Sequence, residues 1–86
     1  MLEFDPEKAA SNLLKHGISF ADAEPVLYDP KGYATTKTAS GEVRVIRTGT
    51  DALGRIITVV WTRRGANQRM ISARPARKKE KAFYEA

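Results

Sequence analysis

The chain has no cysteine, so neither a disulfide nor a thiolate metal site can support its fold. Its one histidine excludes the paired-histidine motifs of zinc hydrolases, and no HExxH, GxSxG or P-loop pattern occurs. No run approaches the roughly 18 apolar residues of a membrane-spanning helix. The opening MLEFDPEK is acidic and lacks the apolar stretch of a signal peptide. These absences lead us to expect one soluble, cytoplasmic domain over residues 1–86, with no metal, no cofactor and no membrane contact. A chain this short buries only about 60–65% of its unfolded surface, so one modest core is all it can build.

What it has in quantity is positive charge, unevenly placed. Residues 1–42 carry seven acids and four bases; residues 43–86 carry three acids and eleven bases. The net charge of +5 therefore hides an acidic first half and a strongly basic second half. Segregation of this kind suits a polyanion or an acidic partner. A solvated basic surface kept for solubility is the alternative.

Local patterns predict the order ααβββα, an α+β domain. Asp5-Pro6 starts a helix, because Asp caps orphan N–H groups and Pro has no N–H to lose at the first position. Gly17 ends it near His16. Ala9, Ala10, Leu13 and Leu14 fall on one side, the expected core face. Lys8, Asn12 and Lys15 fall on the other, with His16 at the edge. Ser19 starts a second helix, which Pro25 shortens or kinks. Residues 28–41 read as a loop. Three strands, EVRVIRTG, RIITVVWTR and RMISAR, are joined by short links as an antiparallel meander. Pro75 then opens a final helix, with Ala76 and Phe83 sharing one side and Arg77, Lys81 and Tyr84 another.

The arginines at the strand ends, Arg47, Arg63, Arg64, Arg69 and Arg74, form a basic set with Arg77, Lys78, Lys79 and Lys81 of the last helix and Lys8 and Lys15 of the first. Guanidinium forks match phosphate oxygens. Tyr84 and Trp61 have rings that could stack on bases, though Trp61 in an apolar strand reads better as core. Arg69 and Arg74, five residues apart, point to opposite faces of a regular strand. One is then free for RNA while the other pairs with Glu80 or a partner, and we expect Arg74 to be the RNA ligand. RNA cleavage needs no metal. A base takes the 2′-OH proton, cations hold the phosphorane charge and an acid protonates the 5′-oxygen. His, Lys, Arg and Tyr can supply all three. A non-catalytic basic RNA- or DNA-binding module and a pure interaction protein share the same charge pattern.

The residues Phe4-Asp5, Lys8, Asn12, Lys15-His16-Gly17, then VVWTR over 59–63, RMISAR over 69–74, and Ala76, Glu80 and Tyr84 stand in a recognisable order. That set resembles the BrnT family of bacterial ribonuclease toxins, with Phe4 in place of the usual Trp and Pro25 inside the second helix as departures. The resemblance implies a RelE-like toxin fold, metal-independent cleavage of RNA and inhibition of growth. It also implies a cognate BrnA-like antitoxin that neutralises the toxin, contacts operator DNA within the complex and represses the operon, with a toxin dimer inside a heterotetramer as one arrangement. The site expected from residues and resemblance together has Arg74, Arg64, Lys15, His16 and Tyr84 as catalytic groups. Lys8, Asn12, Arg63, Arg69, Arg77, Lys78 and Lys81 are expected to bind RNA. Lys8, Lys15 and His16 should then line one site with Arg64 and Arg74.

Overall fold

A computed structural model describes residues 2–86. The elements are β1 (Leu2–Glu3), α1 (Pro6–His16), α2 (Phe20–Ala23), a 3₁₀ turn (Glu24–Tyr28), β2 (Tyr33–Ala39), β3 (Glu42–Thr50), β4 (Ile56–Arg64), β5 (Asn67–Pro75) and α3 (Lys78–Glu85). The fold is α+β, with three helices and a five-stranded mixed sheet in the order β1-β5-β4-β3-β2. The expected three-stranded meander is thus extended at both edges. β1 pairs parallel to β5 through Leu2–Gln68 and Glu3–Arg69.

β2 corrects the expectation of a loop over residues 28–41. It pairs with β3 from Tyr33–Thr48 to Ala39–Glu42. The two-residue link puts Ser40 at φ 51° and Gly41 at φ 78°, the positive pair a tight hairpin turn requires. Five consecutive residues of β2 are exposed, so the β-branching of its threonines, rather than any buried alternation, favours the strand, and the sheet order places it at an edge.

The helical starts and stops follow the chain's local chemistry. Asp5 accepts the Glu7 N–H at 2.9 Å, and Gly17 closes α1 in the left-handed conformation at φ 69°. Ser19 caps α2 by accepting the Asp22 N–H at 3.1 Å. Helical structure continues past Ala23 only as the 3₁₀ turn that contains Pro25. The core lies between these segments and one face of the sheet: Ile18, Phe20, Ala23 and Val26 against Ile57, Val59, Met70 and Ala73.

α1 is rotated relative to its amphipathic pattern. Leu14 is 91% exposed and Leu13 50% exposed, Ala10 is exposed, and only Ala9 of the expected core face is half-buried. The side chain turned inward is Asn12. Its amide nitrogen donates to Ala73 O at 2.8 Å and Ile18 O at 3.0 Å, and its oxygen accepts from Ala73 N at 3.0 Å. Beyond the end of β1 the outer edge of β5 has no strand beside it, and the Asn12 amide satisfies that edge as a neighbouring strand would. Two unpaired backbone groups in the interior cost more than leucines left in water. That difference sets the helix rotation.

β5 departs from a regular strand. Val60 faces Ser72 while Trp61 faces Met70, which leaves Ile71 as an extra residue. This bulge resets the alternation. Arg69 faces Thr62 and Arg74 faces Thr58, partners four residues apart and so on one side of β4. Arg69 and Arg74 therefore share a face, contrary to the expectation from a regular strand. That face is turned away from α1 and α2, and at one end α3 lies over it.

Candidate nucleic-acid interface

The end of the sheet where α1 stops, β4 begins and β5 ends carries two adjoining clefts. The larger, about 550 Å³, is lined by His16, Ile18, the turn residues Gly54 and Arg55, Ile57, Pro75, and Lys81 and Glu85 of α3. The smaller, about 190 Å³, is lined by Lys8, Ser11, Asn12, Lys15, His16, Ile71 and Ser72. His16 borders both. The final turn of α1 places it there: Asn12 one turn earlier is tied to β5, and His16 follows on the same side of the helix.

Arg55 was not anticipated in the site, because it was read only as the start of a strand. Asp51, whose side chain is fully buried, accepts from Leu53 N at 3.0 Å and Arg55 N at 2.8 Å and from the Arg55 Nε at 2.7 Å. Arg55 Nη1 reaches Gly17 O at 3.2 Å, so the turn is bound to the end of α1 beside His16. Its Nη2 is buried without a partner. An Asp four residues before an Arg across a Gly turn is the signal that marks this clamp.

The remaining cations divide. Lys8, Lys15 and Lys81 gather around His16. Arg63 and Arg64 do not. Arg64 pairs with Asn67 at one end of the β4–β5 hairpin, while Pro75 and Ile57 mark the other; seven residues of β4 separate Arg64 from Ile57, about 23 Å at 3.3 Å each. The shared site expected for Arg64 and His16 is therefore not formed. Arg63 lies 5.8 Å from the Trp61 ring centre, and Trp61 packs against the core as its sequence context suggested. Arg77, Lys78 and Lys79 are exposed at the start of α3.

Four other expected ligands are engaged within the protein. Asn12 is 7% exposed and bonded as described. Arg69 Nη1 stands 3.6 Å from Glu3. Arg74 closes on Glu80 in a fork, Nη1 to Oε1 at 2.7 Å and Nη2 to Oε2 at 3.0 Å. Glu80 also accepts from the Thr58 hydroxyl at 3.1 Å and the Arg77 N–H at 2.8 Å. The Arg74 fork, with further N–H and O–H donors, outweighs burial and holds the Glu80 carboxyl at about 2. The same fork raises the Arg74 pKa. Arg74 does not cap α3, which begins four residues later at Lys78.

Tyr84 donates to Asp29 Oδ2 at 2.5 Å and lies 2.7 Å from Thr50 Oγ1. Its proton goes to the carboxylate, so Thr50 is the donor in the second bond. The Asp29 bond raises the Tyr84 pKa. Burial favours the neutral Asp29 carboxyl, but donors from Tyr84, Thr50 and Lys31 and the charge of Arg47 together lower its pKa. Tyr84 thus anchors α3, together with Tyr33, whose hydroxyl donates to Glu80 O at 3.0 Å and whose ring lies 4.6 Å from that of Phe83. These tethers hold in place the helix that brings Lys81 to the cleft.

Among the described residues, no three His, Asp or Glu side chains gather where an ion could sit, and no helix is long and apolar enough to cross a membrane. The arrangement offers one imidazole between two cation-lined clefts, suited to proton transfer beside a bound phosphate.

The family model described as the ribonuclease toxin BrnT of type II toxin–antitoxin systems matches residues 4–80. Comparison with curated protein sequences gives no match. Among solved structures, the 1.1 Å crystal structure of the Brucella abortus ribonuclease toxin BrnT is similar to this chain. It shares 28% sequence identity at a TM-score of 0.66, covering 90% of this chain and 96% of that one.

Proposed function

This chain belongs to the BrnT family of ribonuclease toxins of type II toxin–antitoxin systems, and from that premise we propose that it cleaves RNA without a metal at the clefts around His16. The observation that carries the reading is His16 itself, bordering one cleft with Lys8 and Lys15 and another with Arg55 and Lys81. His16 takes the proton of a ribose 2′-OH. The 2′-oxygen then bonds to phosphorus as the bond to the 5′-oxygen breaks, giving a 2′,3′-cyclic phosphate and a 5′-hydroxyl. The ammonium groups of Lys8, Lys15 and Lys81 stabilise charge on the phosphorane, and one of them protonates the leaving oxygen. Arg77 and Lys78 on the exposed start of α3 hold the continuing RNA backbone. Arg74 and Tyr84 serve by fixing α3, and Arg63, Arg64 and Arg69 are not needed for the chemistry.

Cleavage of RNA in the cytoplasm inhibits translation and growth. A BrnA-like antitoxin neutralises the protein, contacts operator DNA and, in complex with the toxin, represses the operon. Two toxins and two antitoxins in a heterotetramer fit this reading. The test is cleavage of defined RNAs by the purified protein with and without EDTA, beside His16→Ala. Products ending in cyclic phosphate, unaffected by chelator and lost with His16, are expected. Activity lost to EDTA and restored by a divalent ion would overturn the metal-free mechanism.

A further inference from the structure

The two clefts meet at His16, yet among the described residues no side chain is hydrogen-bonded to its ring. The side-chain bonds beside it end on its main-chain neighbours Gly17 and Ile18. In hydrolytic triads a carboxylate behind the histidine fixes the direction of the ring. Here that direction has to come from the main chain. The chain turns sharply at this point, with Gly17 left-handed at φ 69° and its N–H given to Leu13 O at 2.8 Å. Carbonyls at and just past a helix end have no partner inside the helix. Both that follow His16 are held by side chains: Ile18 O accepts from the Asn12 amide at 3.0 Å, and Gly17 O accepts from Arg55 Nη1 at 3.2 Å.

We propose that Arg55 is a positioning residue for His16: held by Asp51, its guanidinium grips the Gly17 carbonyl and so fixes the last turn of α1 against the β3–β4 turn. The inference rests on the ribonuclease reading above. The Arg55 arm is rigid. Its Nε donates to Asp51 Oδ2 at 2.7 Å, and the buried Asp51 carboxylate also accepts from Leu53 N and Arg55 N. Ala52 N donates to Asp22 O at 2.9 Å, which ties the same turn to α2. One nitrogen goes without: Nη2 is buried and has no partner. A buried donor left unpaired costs stability, so stability of the turn does not by itself account for a guanidinium here. What the fork adds beyond the Asp51 pair is its reach to Gly17 O. With its nitrogens committed or buried, Arg55 enters the larger cleft as a wall rather than as a phosphate ligand. A general base works only within hydrogen-bond reach of its proton, and a displacement of about 1 Å costs on the order of a hundredfold. The tether to Gly17 therefore bears on the rate of the step that His16 performs, and little on the hold on RNA.

The test compares the purified wild-type chain with Arg55→Lys. Arg55→Ala would strand the buried Asp51 carboxylate and disturb the turn itself. Lysine keeps the charge and a donor for Asp51 but has no fork to reach Gly17 O as well. With a thermal melt showing the variant folded, kcat for RNA cleavage is expected to fall by about tenfold or more while KM stays within about threefold, the pattern of a misplaced base rather than a lost ligand. His16 is the one histidine of the chain, so its ring protons give a single imidazole signal in NMR spectra. That signal should shift in Arg55→Lys without RNA present. A lysine variant with wild-type kcat, or an unmoved His16 signal, overturns the proposal. So does a loss confined to KM, which makes Arg55 an RNA ligand, or a loss equal to the unfolded fraction in the melt, which makes it a folding residue only. Failure of the ribonuclease reading is separate: it appears as wild-type protein that leaves RNA intact, and the His16 signal then still decides whether Arg55 places the ring.

Discussion

Arg74 and Glu80 close on each other as a two-bonded fork across the junction between β5 and α3, with N–O distances of 2.7 and 3.0 Å. Each side chain is 21% exposed, so the pair is largely shielded from water. α3 has no buried residue of its own. The fork and the tyrosine bonds, rather than apolar packing, hold it on the sheet.

Removing one partner should therefore loosen α3. Arg74→Ala is expected to cost about 1–3 kcal/mol, because it strands a carboxylate on Thr58 and the Arg77 N–H. Arg74→Ala/Glu80→Ala should cost less than the sum of the single changes, since the second removes the stranded charge. Urea denaturation of the four members of the cycle measures the coupling. Additive costs would mean that the fork contributes nothing.

The same pair sets an acid limit. Glu80 titrates at about 2 in the folded protein against 4.5 for the free group. A depressed carboxylate contributes its full stability above pH 4.5, and that contribution disappears as pH falls from 4.5 towards 2. A depression of this size corresponds to at most about 3.5 kcal/mol. Asp29, also lowered, acts in the same direction. Stability measured across this window should fall less steeply for Glu80→Gln than for the wild type, and parallel curves would contradict the assignment.

Asn12 should prove a stability residue. Asn12→Leu keeps the volume but leaves the Ala73 N–H and C=O unpaired at the sheet edge. A loss of about 2–4 kcal/mol is expected, read as a lower denaturation midpoint and faster hydrogen exchange at Ala73. A variant of wild-type stability with weakened RNA binding would restore Asn12 to the interface.

Activity should divide the cations as geometry does. His16→Ala is expected to lower kcat by about a hundredfold or more, the scale of lost proton transfer. Lys15→Ala and Lys81→Ala should reduce cleavage through lost phosphate stabilisation. Arg64→Ala, at the far end of the hairpin, should leave cleavage within a few-fold of the wild type. Single-turnover cleavage rates decide, and an Arg64 effect as large as that of His16 would refute this division.

Signals contained in a few neighbouring residues were legible. Asp5-Pro6 and Gly17 bound α1, Pro25 shortens α2, and the apolar stretch of β4 is central in the sheet. Features decided by distant pairings were not. β1 is two residues long and exists only because β5 lies beside it. The Thr-rich β2 has too little buried alternation to announce itself, although Ser40-Gly41 carried the hairpin signal. The rotation of α1 follows from a bond between residues 12 and 73, which no helical periodicity contains. The bulge at Ile71 inverted the reading of Arg69 against Arg74. His16, Lys8, Lys15 and Lys81 were singled out from the sequence, but their separation from Arg63 and Arg64 depends on which end of the sheet each reaches.

The bond from Asn12 to Ala73 also sets an order of events during synthesis. Residues 6–16 leave the ribosome well before the strand edge they need has been made. The β2–β5 hairpins pair near neighbours in sequence and can close first, whereas α1 must wait for residue 73 and the larger cleft for Lys81. A nascent chain shorter than that contains His16 but not its surroundings. A ribosome making this protein is therefore exposed to the finished cleft only after residue 81 has been translated.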